Sequence, residues 1–228
     1  MKNIIFISLL CLVSFALQAQ ECSTYFNFTK GAKAELTSYD SKNKVVAQMK
    51  YYIKDFKPAN GGFVLVIDTE TYDAKGNLLA KGESYGKCKN GGYSTEIRNI
   101  SSAMIPKSAD IKMNIEGDEL VYPSAIKMGD VLPNAAFKIS AALSSGMTIM
   151  NATGEITNRK VEGMVTVDTP AGKFECQKIT YDLALKLLGN RRYKTEEYLA
   201  KGIGVVKQIQ YNDKGKIESS LVLTNLQK

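Results

Sequence analysis

The side chains that could do chemistry in this chain are carboxylates, lysines, tyrosines and cysteines. Its 228 residues hold 23 Asp and Glu, 30 Lys and Arg, 12 Tyr and 4 Cys, but no His and no Trp. Without His there is no Ser-His-Asp triad, no Cys-His pair, no His-ligated metal and no imidazole acid or base near neutral pH. The carboxylates are scattered. Asp68 and Glu70 share a strand face, and Asp168 and Asp182 do so at best by chance. A glycosidase pair needs two acids about 5–10 Å apart in a cleft, and no local spacing supplies one. Gly202-Ile203-Gly204 resembles a phosphate loop only superficially, because the third glycine and the following helix are missing. It reads instead as a bulge or close backbone contact at a strand start. No catalytic, cofactor or metal residue is assigned, and the chain is expected not to be an enzyme.

The start of the chain carries an address. Met1-Lys2-Asn3 is short and positive, and Ile4 to Leu17 is an uncharged, almost wholly apolar run. That run is too short for a membrane-spanning helix, which needs roughly twenty residues, but it suits the core of a secretory signal peptide. Cleavage after Ala19 would place Leu17 and Ala19 at the −3 and −1 positions and leave Gln20 as the new N-terminus. Neither Cys11, after Ser8-Leu9-Leu10, nor Cys22, after Ala19-Gln20-Glu21, fits a lipid-attachment signal. An exported protein, periplasmic or extracellular and soluble rather than lipid-anchored, is therefore expected.

With the leader gone, Cys22, Cys88 and Cys176 remain, an odd number for an oxidising compartment. Spacing alone leaves the three pairings open. A Cys22–Cys88 bridge is favoured because both lie in the N-terminal half, where a first strand near Cys22 needs tying down. Cys176, on an apolar alternating stretch, reads as a buried structural thiol. No pair has C-x-x-C spacing, so a zinc or redox site is not expected.

These groups need positioning, and the pattern that positions them has period two. Val45, Ala47, Met49, Tyr51 and Ile53 share one face, as do Phe137, Ile139, Ala141 and Leu143. Val205, Ile209 and Tyr211, with Lys207 interrupting, and then Ile217, Leu221 and Leu223 continue the theme. Three turns are variants of one phrase: Tyr39-Asp40-Ser41-Lys42-Asn43-Lys44, Tyr72-Asp73-Ala74-Lys75-Gly76-Asn77 and Tyr211-Asn212-Asp213-Lys214-Gly215-Lys216. In each, Asp or Asn can bond its own downstream backbone, and Asn43, Gly76 or Gly215 supplies positive φ. Lys89-Asn90-Gly91-Gly92 is a fourth turn. Between Phe174-Cys176 and Ile179-Tyr181-Leu183 the apolar phase switches, which predicts a β-bulge near Gln177-Lys178 and a strongly curved sheet. Ser101 to Asp110 is mixed enough for one short helix or a long loop.

The expected fold is all-β with minor α: antiparallel meander sheets forming a curved half-barrel or open barrel, with the repeated turn phrase suggesting two related halves. The expected bounds are 1–19 signal peptide, 20–116 N-terminal β half, 117–133 crossover and 134–228 C-terminal β half, the last three forming one continuous domain.

The formal net charge is +7. The densest basic run, Arg191-Arg192-Tyr193-Lys194, is followed at once by Glu196-Glu197 and reads as a solvated strand face. Nucleic acid would demand a clustered stripe with interleaved aromatics. Attraction to anionic lipid headgroups is the charge-based idea that survives, as a peripheral contact at most. Met104, Met113, Met128, Met147, Met150 and Met164 add adaptable apolar side chains that could line a lipophilic cavity. The candidate ligand or partner contacts are Met147, Met150, Phe137, Tyr181, Tyr193 and Tyr198, with Tyr211 beside them.

Three longer motifs carry a resemblance: Tyr122-Pro123 with Gly129-Asp130-Val131-Leu132-Pro133-Asn134-Ala135, Thr169-Pro170-Ala171-Gly172-Lys173-Phe174-Glu175-Cys176-Gln177-Lys178-Ile179, and Tyr198-Leu199-Ala200-Lys201-Gly202-Ile203-Gly204-Val205-Val206-Lys207. Through them the chain resembles the exported TapB-like proteins of Gram-negative bacteria, a group tied to a larger family whose domain has no assigned function. The resemblance implies an antiparallel β fold akin to the half-barrel of periplasmic lipoprotein carriers, and brings no catalytic residues. The leading functional expectation is non-enzymatic binding of a lipophilic molecule or an envelope partner. The alternatives are an assembly partner using a strand edge and, less favoured, a carboxylate-based hydrolase.

Overall fold

The structure, a computed structural model, describes residues 22, 25, 26, 29–97, 111–187 and 189–227. Among the described residues thirteen strands follow in order: β1 (Lys33–Asp40), β2 (Val45–Ala59), β3 (Gly62–Asp73), β4 (Leu78–Lys89), β5 (Gly92–Glu96), β6 (Ile111–Gly117), β7 (Glu119–Tyr122), β8 (Ala135–Leu143), β9 (Thr148–Thr169), β10 (Gly172–Leu187), β11 (Gly189–Ala200), β12 (Gly204–Asn212) and β13 (Ile217–Gln227). No helix occurs among the described residues, so the minor helical content expected from sequence is absent there. The expected signal peptide, 1–19, and Ser101 to Asp110 lie outside them.

The turn chemistry sets the meander. Asp40 Oδ1 accepts the backbone N–H groups of Lys42 and Lys44 at 2.8 and 2.9 Å. Asp73 does the same for Lys75 and Asn77, and Asn212 for Lys214 and Lys216. Asn43, Gly76 and Gly215 take φ values of 58°, 83° and 68°, as tight hairpins require. Alternation then buries one side of each strand. In β8, Ala135, Phe137, Ile139 and Ala141 are buried while Ala136 and Lys138 are exposed.

All thirteen strands form one antiparallel sheet in the order β6-β8-β9-β10-β11-β12-β13-β1-β2-β3-β4-β5-β7. Sequential neighbours pair almost throughout, and β13 returns to pair with β1. The edge strands β6 and β7 are separated in sequence only by Asp118. One kinked stretch therefore pairs first with β8 and then with β5, and the sheet curls into a nearly closed barrel. Asp118 pins the kink: its N–H donates to Ala136 O, and its carboxylate accepts the Ala136 N–H, both at 2.9 Å. Gly117, at φ 154°, is obligatory, since a Cβ there would fall 2.3 Å from Ala136 O.

The structure revises several local expectations. Residues 119–122 of the expected crossover form strand β7, which leaves 123–134 as the irregular connection. The phase switch in β10 is not a bulge in β10, which keeps unbroken register with β11 from Cys176 to Leu187. The irregularity is in β9, where Glu162 is skipped between the pairs Lys178↔Gly163 and Ile179↔Val161. The two phases serve two cores instead. Phe174 and Cys176 pack in a cluster with Val167, Val206 and Leu223, while Ile179, Tyr181 and Leu183 join the main core. In β12 the buried positions are Gly204, Val206 and Gln208, not Val205, Ile209 and Tyr211. A bulge beside Leu199 and an inward glutamine hide the pattern there.

Gly117→Ala is expected to destabilise the protein by at least about 2 kcal/mol, read as a lower urea midpoint. Gly189→Ala, with open space around it and no positive φ, should leave the midpoint unchanged. Replacing both Cys22 and Cys88 by Ser, and so opening a bridge that spans 66 residues, should cost about 4 kcal/mol on the chain-entropy estimate.

Candidate functional site inside the barrel

The barrel interior holds two cavities. One, of ≈ 340 Å³, is walled by Tyr51, Ile53, Ile67, Val205 and Leu223 and reaches Thr29, Lys33 and Gly202 at one end. The other, of ≈ 280 Å³, is walled by Met49, Phe137, Ile156, Tyr181, Leu183 and Tyr193 and reaches Ser38, Asp40 and Glu218 at the opposite end. Both touch Gln208 and Leu221. Gln208 Nε2 donates to Tyr181 Oη at 2.6 Å, so this bonded pair stands at the partition between them.

Strand β11 brings a polar pole to the first cavity, apart from Gln208 at the partition. Along β11, Tyr193, Thr195, Glu197 and Leu199 alternate inward and are all buried, while Lys194, Glu196 and Tyr198 take the other face. Glu197 lines the cavity at 1% exposure and accepts a hydrogen bond from Tyr122 Oη at 3.0 Å. Burial pushes the Glu197 carboxyl upward, and the Arg159 charge and the Tyr122 hydroxyl only partly offset it. Burial raises the Tyr122 and Tyr181 phenols well above their ordinary value, and the Glu197 charge adds to that.

Arg159 is buried as deeply as Glu197. Its Nη1 donates to Val121 O at 3.1 Å and Pro133 O at 2.9 Å, and its guanidinium lies 4.9 Å from the Tyr122 ring centre. Alternation from Ile156 would turn Asn158 inward. Instead Asn158 takes φ 55°, the β9–β10 register shifts between Thr180 and Asp182, and Arg159 faces the core.

The N-terminal segment closes the same end. The Cys22–Cys88 disulfide ties it down, with a Cα–Cα distance of 5.2 Å. Phe26 then stacks on Tyr93, ring centres 4.1 Å apart. Gly204 sits under that ring, where a Cβ would come within 3.1 Å of it, which is the close backbone contact read from Gly202-Ile203-Gly204. Cys176 is a buried free thiol, its pKa pushed by burial to about 11.

Among the sequence-nominated contacts, Phe137, Tyr181 and Tyr193 come together around the second cavity. Tyr198 faces away, packs with the Cys176 cluster and donates to Glu196 Oε2. Tyr211 donates to the same oxygen. Met150 is half-buried against the main core, but Met147 is 61% exposed. Met128 and Met164 are exposed too, so these four methionines do not form a cavity lining. Met104 and the side chain of Met113 lie outside the described residues.

Reading Glu196-Glu197 as one solvated face missed the site. Glu196 is outward, its pKa pushed up by burial but brought below normal overall by Lys178 and Tyr198, whereas Glu197 is the inward member of the pair. Alternation with Tyr193 and Leu199 carried that signal. On the outer wall Glu70 bonds Lys81 at 2.8 Å and Glu83 bonds Lys54, and these partners lower both carboxyls. Among the described residues, no three His, Cys, Asp or Glu side chains converge as a metal site would require.

The chain matches the DUF3108-like family over residues 29–223. Two solved structures share its fold. A Bacteroides fragilis protein described as exported, with a YmcC-like fold, superposes with TM-score 0.78 and 23% identity, covering 91% of this chain and 100% of its own. A Parabacteroides distasonis protein described as a lipoprotein has TM-score 0.78 and 21% identity, covering 90% of this chain and 99% of its own. No curated protein matches the chain.

The raised carboxyl of Glu197 has a measurable sign. Glu197 ionises more readily in the unfolded chain, near pH 4.3, so its stabilising contribution is complete below that pH and is lost as pH rises through the higher folded value. Glu197→Gln should remove this loss. Thermal melts from about pH 4 to pH 8 should show the variant gaining on the wild type as pH rises; a constant difference would contradict the assignment.

Proposed function

The chain belongs to the DUF3108-like family, a domain of unknown function, and on that premise we propose that it is an exported cell-envelope protein that encloses a lipophilic molecule in its barrel. The observation that carries this reading is the ≈ 340 Å³ cavity with largely apolar walls and a buried polar pole, Glu197 with Tyr122. Its volume falls at the lower end of small-molecule sites, which run to roughly 300–1,000 Å³. An apolar body would be held by burial against Ile53, Ile67, Val205 and Leu223, at about 25 cal/mol per Å² removed from water. The pole would orient one hydrogen-bonding group of the ligand. Glu197, whose carboxyl is pushed upward by burial, and the Tyr122 hydroxyl bonded to it are the groups available at that end of the ligand.

Binding is the reading this geometry favours, because Glu197 accepts from the Tyr122 hydroxyl and, among the described residues that line the cavity, the rest of the wall is largely apolar. The apolar run from Ile4 to Leu17, of the length of a signal-peptide core, and the Cys22–Cys88 bridge support export to an oxidising compartment. The description of the Bacteroides fragilis neighbour as exported is consistent with it.

Gentle purification, organic extraction and mass spectrometry should recover a stoichiometric apolar molecule. Val205→Trp, which adds an indole to the cavity wall, should cut its recovery at least fivefold while the melting curve stays cooperative. Extracts that are empty, or identical for both proteins, would refute the reading.

A further inference from the structure

The repeated turn phrase contains residues that its own geometry does not need. Asp40, Asp73 and Asn212 cap the turns, and Asn43, Gly76 and Gly215 supply the positive φ. Nothing in hairpin chemistry calls for Lys42, Lys75 and Lys214 between them. Nor does it call for the apolar residue that opens each returning strand: Val45, 37% exposed, Leu78, 54%, and Ile217, 47%. Because the meander is antiparallel, all three copies fall at one end of the barrel. The pairs Asp40↔Ser219 and Ala47↔Asp73 set them side by side.

The rim continues on both chemistries. The β10–β11 tip, next to the β12–β13 turn through Tyr193↔Asn212, exposes Arg191 and Arg192. Beyond it the β8–β9 tip exposes Met147 and Ile149, at 61% and 45%. The ion pairs found among the described residues lie on the walls or at the other end, and none engages Lys42, Lys75 or Lys214. The nearby carboxylates are Asp40 and Asp73, engaged by turn amides, Asp213, and Glu218, which accepts from Asn212. The second cavity reaches this end through Ser38, Asp40 and Glu218.

Cations interleaved with protruding apolar side chains along one arc match an anionic lipid surface. Lysines meet headgroups, and shallow apolar tips enter the boundary beneath them. A protein partner would favour aromatic anchors over lysine. Here the tyrosines that open the phrases, Tyr39, Tyr72 and Tyr211, are half-buried, with Tyr72 and Tyr211 bonded to wall carboxylates, and the side chains that protrude are lysines and aliphatics. We propose that this rim is a docking face for anionic lipid membrane, presenting the second cavity's end of the barrel to the bilayer. The proposal does not depend on what the first cavity holds.

The test is co-sedimentation with vesicles of phosphatidylethanolamine and phosphatidylglycerol, compared with phosphatidylcholine alone. The wild type should bind the anionic vesicles, lose binding in high salt, and ignore the neutral ones. The triple variant Lys42→Glu, Lys75→Glu, Lys214→Glu should bind at least tenfold more weakly, and Leu78→Ser with Ile217→Ser should also weaken binding. Lys57→Glu with Lys201→Glu, at exposed positions of the opposite end, should bind as the wild type does. Any leader retained by the host is common to every variant, and melting curves confirm folding. No wild-type binding to anionic vesicles, or equal loss from both ends, overturns the proposal. So would capture of a soluble envelope protein by the rim without vesicle binding.

Discussion

A sheet of this size has two edges to dispose of, and everything inside depends on how it does so. The solution is the stretch from Ile111 to Tyr122, which belongs to both edges at once and changes neighbours at Gly117-Asp118. Two hydrogen bonds between Asp118 and the Ala136 backbone hold the change of direction, and the missing Cβ of Gly117 makes room for it. Tyr122, at the end of this stretch, arrives inside the barrel with its hydroxyl on Glu197 and its ring beside Arg159. The polar pole of the interior is thus assembled by the same segment that closes the wall.

That pole is costly to maintain. A carboxyl and a guanidinium are both withdrawn from water without a direct ion pair between them. The guanidinium is instead satisfied in part by two backbone carbonyls, which knit the 123–134 connection and β7 onto β9. One arginine therefore acts as a rivet for irregular chain, while the glutamate faces open space. Hydrogen-bonding capacity is left at Arg159, whose Nε and Nη2 have no partner among the described residues, while Glu197 is the member of the pair that lines the cavity.

Much of the wall was legible in sequence. The Asx turns and their positive-φ residues were written out in the repeated phrase, and period two placed the inward faces of β2 and β8. The Cys22–Cys88 bridge agreed with the favoured pairing. The interior was harder to read because parity was interrupted. Bulges at Glu162 and near Asn158 shift the inward set of β9 without any marker in composition, and Gln208 occupies a buried position that a hydrophobicity pattern scores as exposed. Methionines drew attention for their adaptability, yet burial is decided by strand position, and several sit at tips and edges. The seam was not readable at all, since which neighbour each half of 111–122 chooses is a long-range property.

The pairing of β1 with β13 carries a kinetic consequence. Lys33 meets Gln227 and Asp40 meets Ser219, so the first strand waits for the last before its outer edge is satisfied. A contact across most of the chain exacts a large loop-closure entropy and slows folding. During synthesis the barrel therefore cannot complete itself until β13 has emerged, however early the other hairpins form.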